Sequence, residues 1–291
     1  SDWVQRDGVK VYSLVDGGKE IAKVIKCDPS KIKVKVLAEP DGIVNMDAEA
    51  RTLGKKLIFS APLTFTTCAR KMTELAFRDG IQMNYLLSPY SKDGFLLVNQ
   101  HGEQKVLNKK RLKISDLITV DDFQNEEIRE ALVKWANGRR IDILNTEGKV
   151  DEIKLAGLLE MSIHPVQRFL DKNTFFALIR AKKYSLLGGM LLIDKEEGKE
   201  EGTVVKLEDG GDSRRFYLEF EDGQFGIIDS TGDMSSGKLV ELALSVGATK
   251  AIYMDTGMYD KAAYQDGSGK MHIVGHEDTD ESTNRVVIYE K

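Results

Sequence analysis

Ser213 to Gly257 reads SRRFYLEFEDGQFGIIDSTGDMSSGKLVELALSVGATKAIYMDTG, and this stretch decides the fold. Arg215 to Phe220 has the composition of a strand, Glu221-Asp222-Gly223 that of a turn, and Phe225 to Ile228 that of the returning strand. Ser235 or Ser236 can cap a helix whose Leu239, Leu242, Ala243 and Val246 share one face, and Gly247 stops it. Ala251 to Met254 is then a short, wholly apolar strand. It delivers Asp255-Thr256-Gly257 at its carboxyl end, where loops on a rigid scaffold commonly carry chemistry. A strand pair, a capped helix and another strand predict an α+β protein: a core of mixed or antiparallel sheet with flanking helices.

Working outward, the first forty residues also read as strands. Lys31 to Leu37 alternates charged and apolar side chains, as a half-buried strand does. Turns are expected at Asp28-Pro29-Ser30 and Pro40-Asp41-Gly42, and a weak helix over 46–56 that stops near Gly54. Leu57 to Thr66 is extended and apolar. Leu75 to Phe77 runs into Arg78-Asp79-Gly80, a hairpin turn. Between about 115 and 170 the chain changes character. Asn125 caps a helix bearing Ile128, Ala131, Leu132 and Trp135 on one face and closed by Gly138, and Ile153, Leu155, Leu158 and Leu159 mark another. This stretch reads as a helical insertion within one domain spanning 1–291.

Bulk properties exclude several classes. The 291 residues carry 31% charged and 41% hydrophobic side chains with a net charge of −5. Ordinary composition and an acidic balance give no footprint for nucleic acid. No apolar run approaches the roughly 20 residues of a membrane helix; the densest, Tyr184 to Ile193, contains Gly188 and Gly189. Ser1 in place of methionine fits a trimmed chain, whether a signal segment was removed or not. Cys27 and Cys68 make no disulfide framework and read as buried free thiols.

Several segments together resemble the phosphodiester glycosidase family. The carboxyl-terminal part, SRRFYLEFEDGQFGIID followed by GKLVELALSVGATKAIYMDTGMYD, is similar to the second half of that domain, and NRVVIY (284–289) to its final strand. In the first half, KLIFSAPLTFT and MTELAFRDGIQMN resemble the family's INAGMF and GL-x-x-x-DG block, and the strands within 11–37 those that precede it. The resemblance covers most of 10–100 and 212–291. The chain departs from it at Ser60, where the family usually has Asn, and at Asp255-Thr256-Gly257-Met258-Tyr259, where the family has Asp-Gly-Gly-Gly-Ser. Thr256 and Met258 restrict the close backbone approach that glycines allow.

The resemblance implies hydrolysis of a sugar 1-phosphodiester, a carbohydrate or glycosyl-phosphate substrate, no redox cofactor and an exported protein. A phosphate departs readily, so the demand for a strong general acid relaxes. What remains is one or two carboxylates at the anomeric centre and a guanidinium fork on the phosphate. Asp255 is the first carboxylate expected in that role and Glu74 the second; each could instead be a turn cap or a salt-bridged edge residue. Gly257 and Asp260 follow Asp255 in the same loop. Arg214 or Arg215 is expected on the phosphate, and if extended the two point to opposite sides. Register from the Asp222-Gly223 turn favours Arg214, and a one-residue bulge would favour Arg215. Asn284 and Arg285 on the terminal strand, and Arg70 and Asn84 more distantly, complete the candidate substrate contacts.

Rival readings are weaker. His272 and His276 stand four apart on a β-like segment unsuited to a shared metal, although a divalent cation at His276, Glu277, Asp278 and Asp280 stays open. There is no Gly-x-Ser-x-Gly elbow and no Walker sequence. Lys105 to Lys113, with five basic residues, reads as a solvated face. The alternatives carried forward are a non-catalytic glycan- or phosphoglycan-binding protein and a metal-assisted phosphodiesterase.

Overall fold

The structure, a computed structural model, describes residues 3–40, 44, 46–67, 71–84, 93–163, 169–197, 212–256, 261–274 and 282–291. In chain order the strands among them are β1 (Val9–Asp16), β2 (Lys19–Cys27), β3 (Ile32–Ala38), β4 (Leu57–Ala61), β5 (Ala76–Arg78), β6 (Ile81–Gln82), β7 (Gly94–Val98) and β8 (Gln104–Asn108). They continue with β9 (Ser185–Gly189), β10 (Leu191–Asp194), β11 (Arg215–Phe220), β12 (Phe225–Ser230), β13 (Ala248–Tyr253), β14 (Ala262–Gln265), β15 (Met271–Val274) and β16 (Asn284–Glu290). The α-helices are α1 (Met46–Leu53), α2 (Glu126–Gly138), α3 (Glu152–Gly157), α4 (Phe169–Ala181) and α5 (Ser236–Ser245).

The strands form three sheets, in the orders β1-β2-β12-β11-β13-β10, β15-β14-β4-β16-β3 and β6-β5-β9-β7-β8. Every strand pairing among the described residues is antiparallel. The protein is α+β.

Period-two alternation explains how the sheets assemble. One face of each meets a shared core: Ile25, Tyr217, Phe225 and Ile252 from the first sheet, Val34, Phe59 and Ile288 from the second, and Leu96, Val106 and Leu187 from the third. The opposite faces are covered by helices. The helix α5 sets Leu239, Val240 and Ala243 against Val24, Phe216, Leu218 and Tyr253. Against the third sheet, Ile128, Leu132 and Trp135 of α2 and Phe175, Leu178 and Ile179 of α4 bury Phe77, Phe95, Leu97 and Leu186. Each such Leu, Ile or Phe contributes roughly 1.5–3 kcal/mol when fully withdrawn from water.

Local signals place the helices. The Asn125 side chain accepts from Ile128 N at 3.2 Å, and that of Ser235 from Lys238 N at 3.1 Å. In β12 the lack of a side chain at Gly226 is a steric requirement, because a Cβ there would lie 1.8 Å from the Ile25 carbonyl oxygen. Cys27 is buried in the shared core as a free thiol, and burial raises its pKa. Among the described residues no helix is long and apolar enough to cross a membrane.

Candidate functional site

The segment Leu63 to Thr66, just past β4, is where the candidate residues meet. Asn284, at the start of β16, receives hydrogen bonds on Oδ1 from Leu63 N (3.1 Å) and Thr64 N (2.9 Å). Its Nδ2 donates to Thr64 O at 2.8 Å. The amide thus acts as a clamp on an irregular segment, satisfying backbone groups that no strand partner reaches.

Asp255 leaves β13 and closes on the same segment from the other side. Its backbone N donates to Leu63 O at 3.0 Å, and its Oδ2 accepts from Thr66 N at 3.3 Å. The residue is 8% exposed. Thr66 Oγ1 lies 2.9 Å from Thr283 Oγ1, which joins the Asp255 and Asn284 sides.

Glu74 approaches through a third connection. Thr73 N donates to Phe65 O at 2.9 Å, and Thr64 Oγ1 donates to Gly188 O at 2.8 Å. A Cβ placed on Gly188 would fall 2.9 Å from the Cβ of Glu74, so the bare glycine backbone lets this residue seat against β9. The amide of Asn84 donates to Met72 O (3.1 Å) and Glu74 O (2.6 Å), fixing the backbone that carries the carboxylate. Lys109 is half-buried nearby: burial lowers its pKa, while the charges of Glu74 and Asp93 raise it.

Arg214 reaches the cluster through Tyr253. Its Nε donates to Met234 O at 3.1 Å and its Nη1 to the Tyr253 hydroxyl at 2.7 Å. The Tyr253 ring stands edge-on to Phe65, with centroids 5.5 Å apart and planes at 89°. Beyond β13, Thr256 Oγ1 donates to Ser213 O at 2.9 Å, which ties the loop after Asp255 to the one before Arg214.

The neighbouring arginines turn elsewhere. Arg215 is fully buried on the opposite side, its Nε donating to Asp229 Oδ2 at 2.8 Å and its Nη2 to Val274 O at 3.1 Å. Cross-strand register sets Arg215 opposite Asp229, so strand alternation separates it from Arg214. Arg285 is buried too; its Nε donates to Ser60 Oγ at 2.7 Å and its Nη2 to Lys261 O at 2.5 Å. Ser60 is thus a partner of that guanidinium. Gly257, Asp260 and Arg70 lie outside the described residues, as do His276, Glu277, Asp278 and Asp280. His272 is bonded through Nε2 to Asp266 Oδ2 at 2.7 Å and packs beside Trp3.

Asp255, Asn284 and, through Tyr253, Arg214 therefore gather around four consecutive residues, and Glu74 sits against Gly188, whose carbonyl Thr64 contacts. Tyr253, Thr64, Thr66 and Lys109 belong to the same surroundings, and the sequence carried no signal for them. Lys109 reads there as one of several solvated basic residues, and Tyr253 as one more residue of an apolar strand.

Comparison with known structures finds likenesses in fold. The catalytic domain of zebrafish N-acetylglucosamine-1-phosphodiester α-N-acetylglucosaminidase, auto-inhibited by its pro-peptide, is similar over 100% of this chain and 87% of its own length. The TM-score is 0.52 and the identity 10%. The two share a fold. Two weaker likenesses are a hypothetical protein from Synechocystis (TM-score 0.49, 10% identity, 97% of this chain and 62% of that one) and a protein of Burkholderia pseudomallei provisionally described as exported (TM-score 0.47, 11% identity, 92% and 73%). No protein-family model and no curated protein matches the sequence.

Proposed function

We propose that the protein hydrolyses a sugar 1-phosphodiester at the anomeric carbon and acts outside the cytoplasm. The gathering of Asp255 and the Tyr253-held Arg214 around Leu63–Thr66, with Glu74 seated against Gly188 of β9, is the observation that carries this reading. The fold shared with a phosphodiester glycosidase supports it.

In this reaction water adds to C1, the C1–O bond breaks, and the phosphate leaves with the electron pair. Asp255, whose Oδ2 accepts from Thr66 N, supplies negative charge beside the positive centre that develops at C1. Glu74 takes the proton of the attacking water. Arg214 holds phosphate oxygens in both the bound and the departing states. Two carboxylates suffice because the leaving group needs little protonation.

The test is incubation with the methyl phosphodiester of N-acetylglucosamine 1-phosphate, and with the corresponding glucose and mannose compounds, in ¹⁸O water. Label in the released sugar is the expected result. Label in the phosphate would replace this mechanism with P–O cleavage. No product together with a ligand-induced rise in melting temperature would make the protein a binding module.

A further inference from the structure

Tyr253 has a role that its place in a buried strand does not suggest. Its ring is fixed on two sides, by Phe65 at 5.5 Å and 89° and by Phe216 at 5.7 Å and 49°. The residue is 5% exposed, and its hydroxyl accepts from Arg214 Nη1 at 2.7 Å. Arg214 Cζ lies 5.9 Å from the ring centroid. The backbone supplies a second hold, Met234 O accepting from Nε at 3.1 Å.

We infer that Tyr253 is a positioning residue for Arg214, fixing the plane of the guanidinium that receives the phosphate. This rests on the proposed phosphodiester hydrolysis and extends it to a residue outside the carboxylate and arginine set. A guanidinium is a planar fork and recognises a phosphate only in a matched orientation, so fixing its plane determines how well the fork is used. The contact to Met234 O holds Nε. The contact to Nη1, from a phenol packed between the Phe65 and Phe216 rings, adds a fixed point at the far end of the guanidinium plane. The phenol oxygen accepts from Nη1, so its own proton points away from the guanidinium. Tyr253 also belongs to β13, two residues before Asp255. The end of one strand therefore presents the phenol and leads directly into Asp255, which Leu63 O and Thr66 N then hold.

The experiment is a double-mutant cycle with Tyr253→Phe and Arg214→Ala, read as kcat and KM on the methyl phosphodiester of N-acetylglucosamine 1-phosphate. The phenylalanine keeps both ring contacts, and a melting temperature within a few degrees of the parent protein checks that it folds. Loss of one hydrogen bond to a charged group is expected to raise KM about ten-fold. The same change should leave kcat within about three-fold. The Arg214→Ala protein should be no worse when Tyr253→Phe is added, which a merely structural tyrosine would not produce. An unchanged KM in Tyr253→Phe, or losses that multiply in the double variant, would overturn the inference and leave the hydrolytic function standing. A parent protein that releases no sugar defeats that function, and the inference with it.

Discussion

Arg215 and Arg285 carry charge in surroundings that are fully closed to water; Arg215 pairs with Asp229 while its Nη1 has no hydrogen-bond partner among the described residues, and Arg285 donates to Ser60 and Lys261. A buried ion pair is not in itself a strong stabiliser, but removing one partner leaves the other desolvated and alone. Arg215→Met should therefore cost about 3–5 kcal/mol in a urea titration, because Asp229 would lose the guanidinium it pairs with. Asp255→Asn is expected to behave in the opposite way. Its amide oxygen can still accept from Thr66 N, so the fold should persist while turnover of the phosphodiester falls about 100-fold or more. Adjacent arginines were legible as a pair with opposed directions. The hairpin register from the Asp222-Gly223 turn favours Arg214, but Tyr253 as its partner, on a strand some 39 positions away, was not legible. Asn284 was legible as a polar residue at a strand start, but its clamp on Leu63 and Thr64, some 220 positions away, was not.

Elements with clean periodicity were the readable ones. The helix α2, its cap at Asn125 and its inward face at Ile128, Ala131, Leu132 and Trp135 follow from local rules. The helix α4 was not anticipated. Its sequence, FLDKNTFFALIRA, is apolar on most sides because it is packed against both the sheet and α2, so no single stripe stands out. Asp171 within it is completely buried, accepting from Trp135 Nε1 at 2.8 Å and from the Arg139 guanidinium. Asp171→Ala should uncouple α4 from α2 and lower stability by about 3–5 kcal/mol, seen as early loss of the helical circular-dichroism signal in urea. The β14–β15 hairpin gives a pH prediction. Asp266 at its turn is held below the ordinary carboxylate range, first by its hydrogen bond to His272 and then by those from Ser268. A depressed folded-state pKa contributes stability that is complete above the unfolded value of about 4 and is lost as pH falls toward the folded value. Melting temperature should therefore drop on acidification below about pH 4, and Asp266→Asn should start lower and fall less steeply.

At the scale of the molecule, three sheets share one core and each has its own helical cover, an arrangement the strand count of the sequence does not specify. The third sheet is joined to the first by Tyr217 Oη, which donates to Gln104 Oε1 at 2.8 Å, and by the Glu219 carboxylate, which accepts from Val106 N. The sheets approach too closely to tolerate added atoms at some positions. Gly226→Ala would force a methyl group against the Ile25 carbonyl and split β12 from β2. A loss of more than about 4 kcal/mol is expected, measurable as insoluble expression or collapse of the melting transition. The alternation of β3 and the apolar run of β4 announce strands, but the partner that separates them was visible only in the structure. That partner is β16, inserted between β3 and β4, with Arg285 bonded to Ser60 across 225 positions. At roughly 5–20 residues per second, a ribosome takes about ten to fifty seconds to make the intervening chain. Through that interval two sticky edges wait without the ribbon that will seal them, open to pairing with the edges of a neighbouring newborn copy.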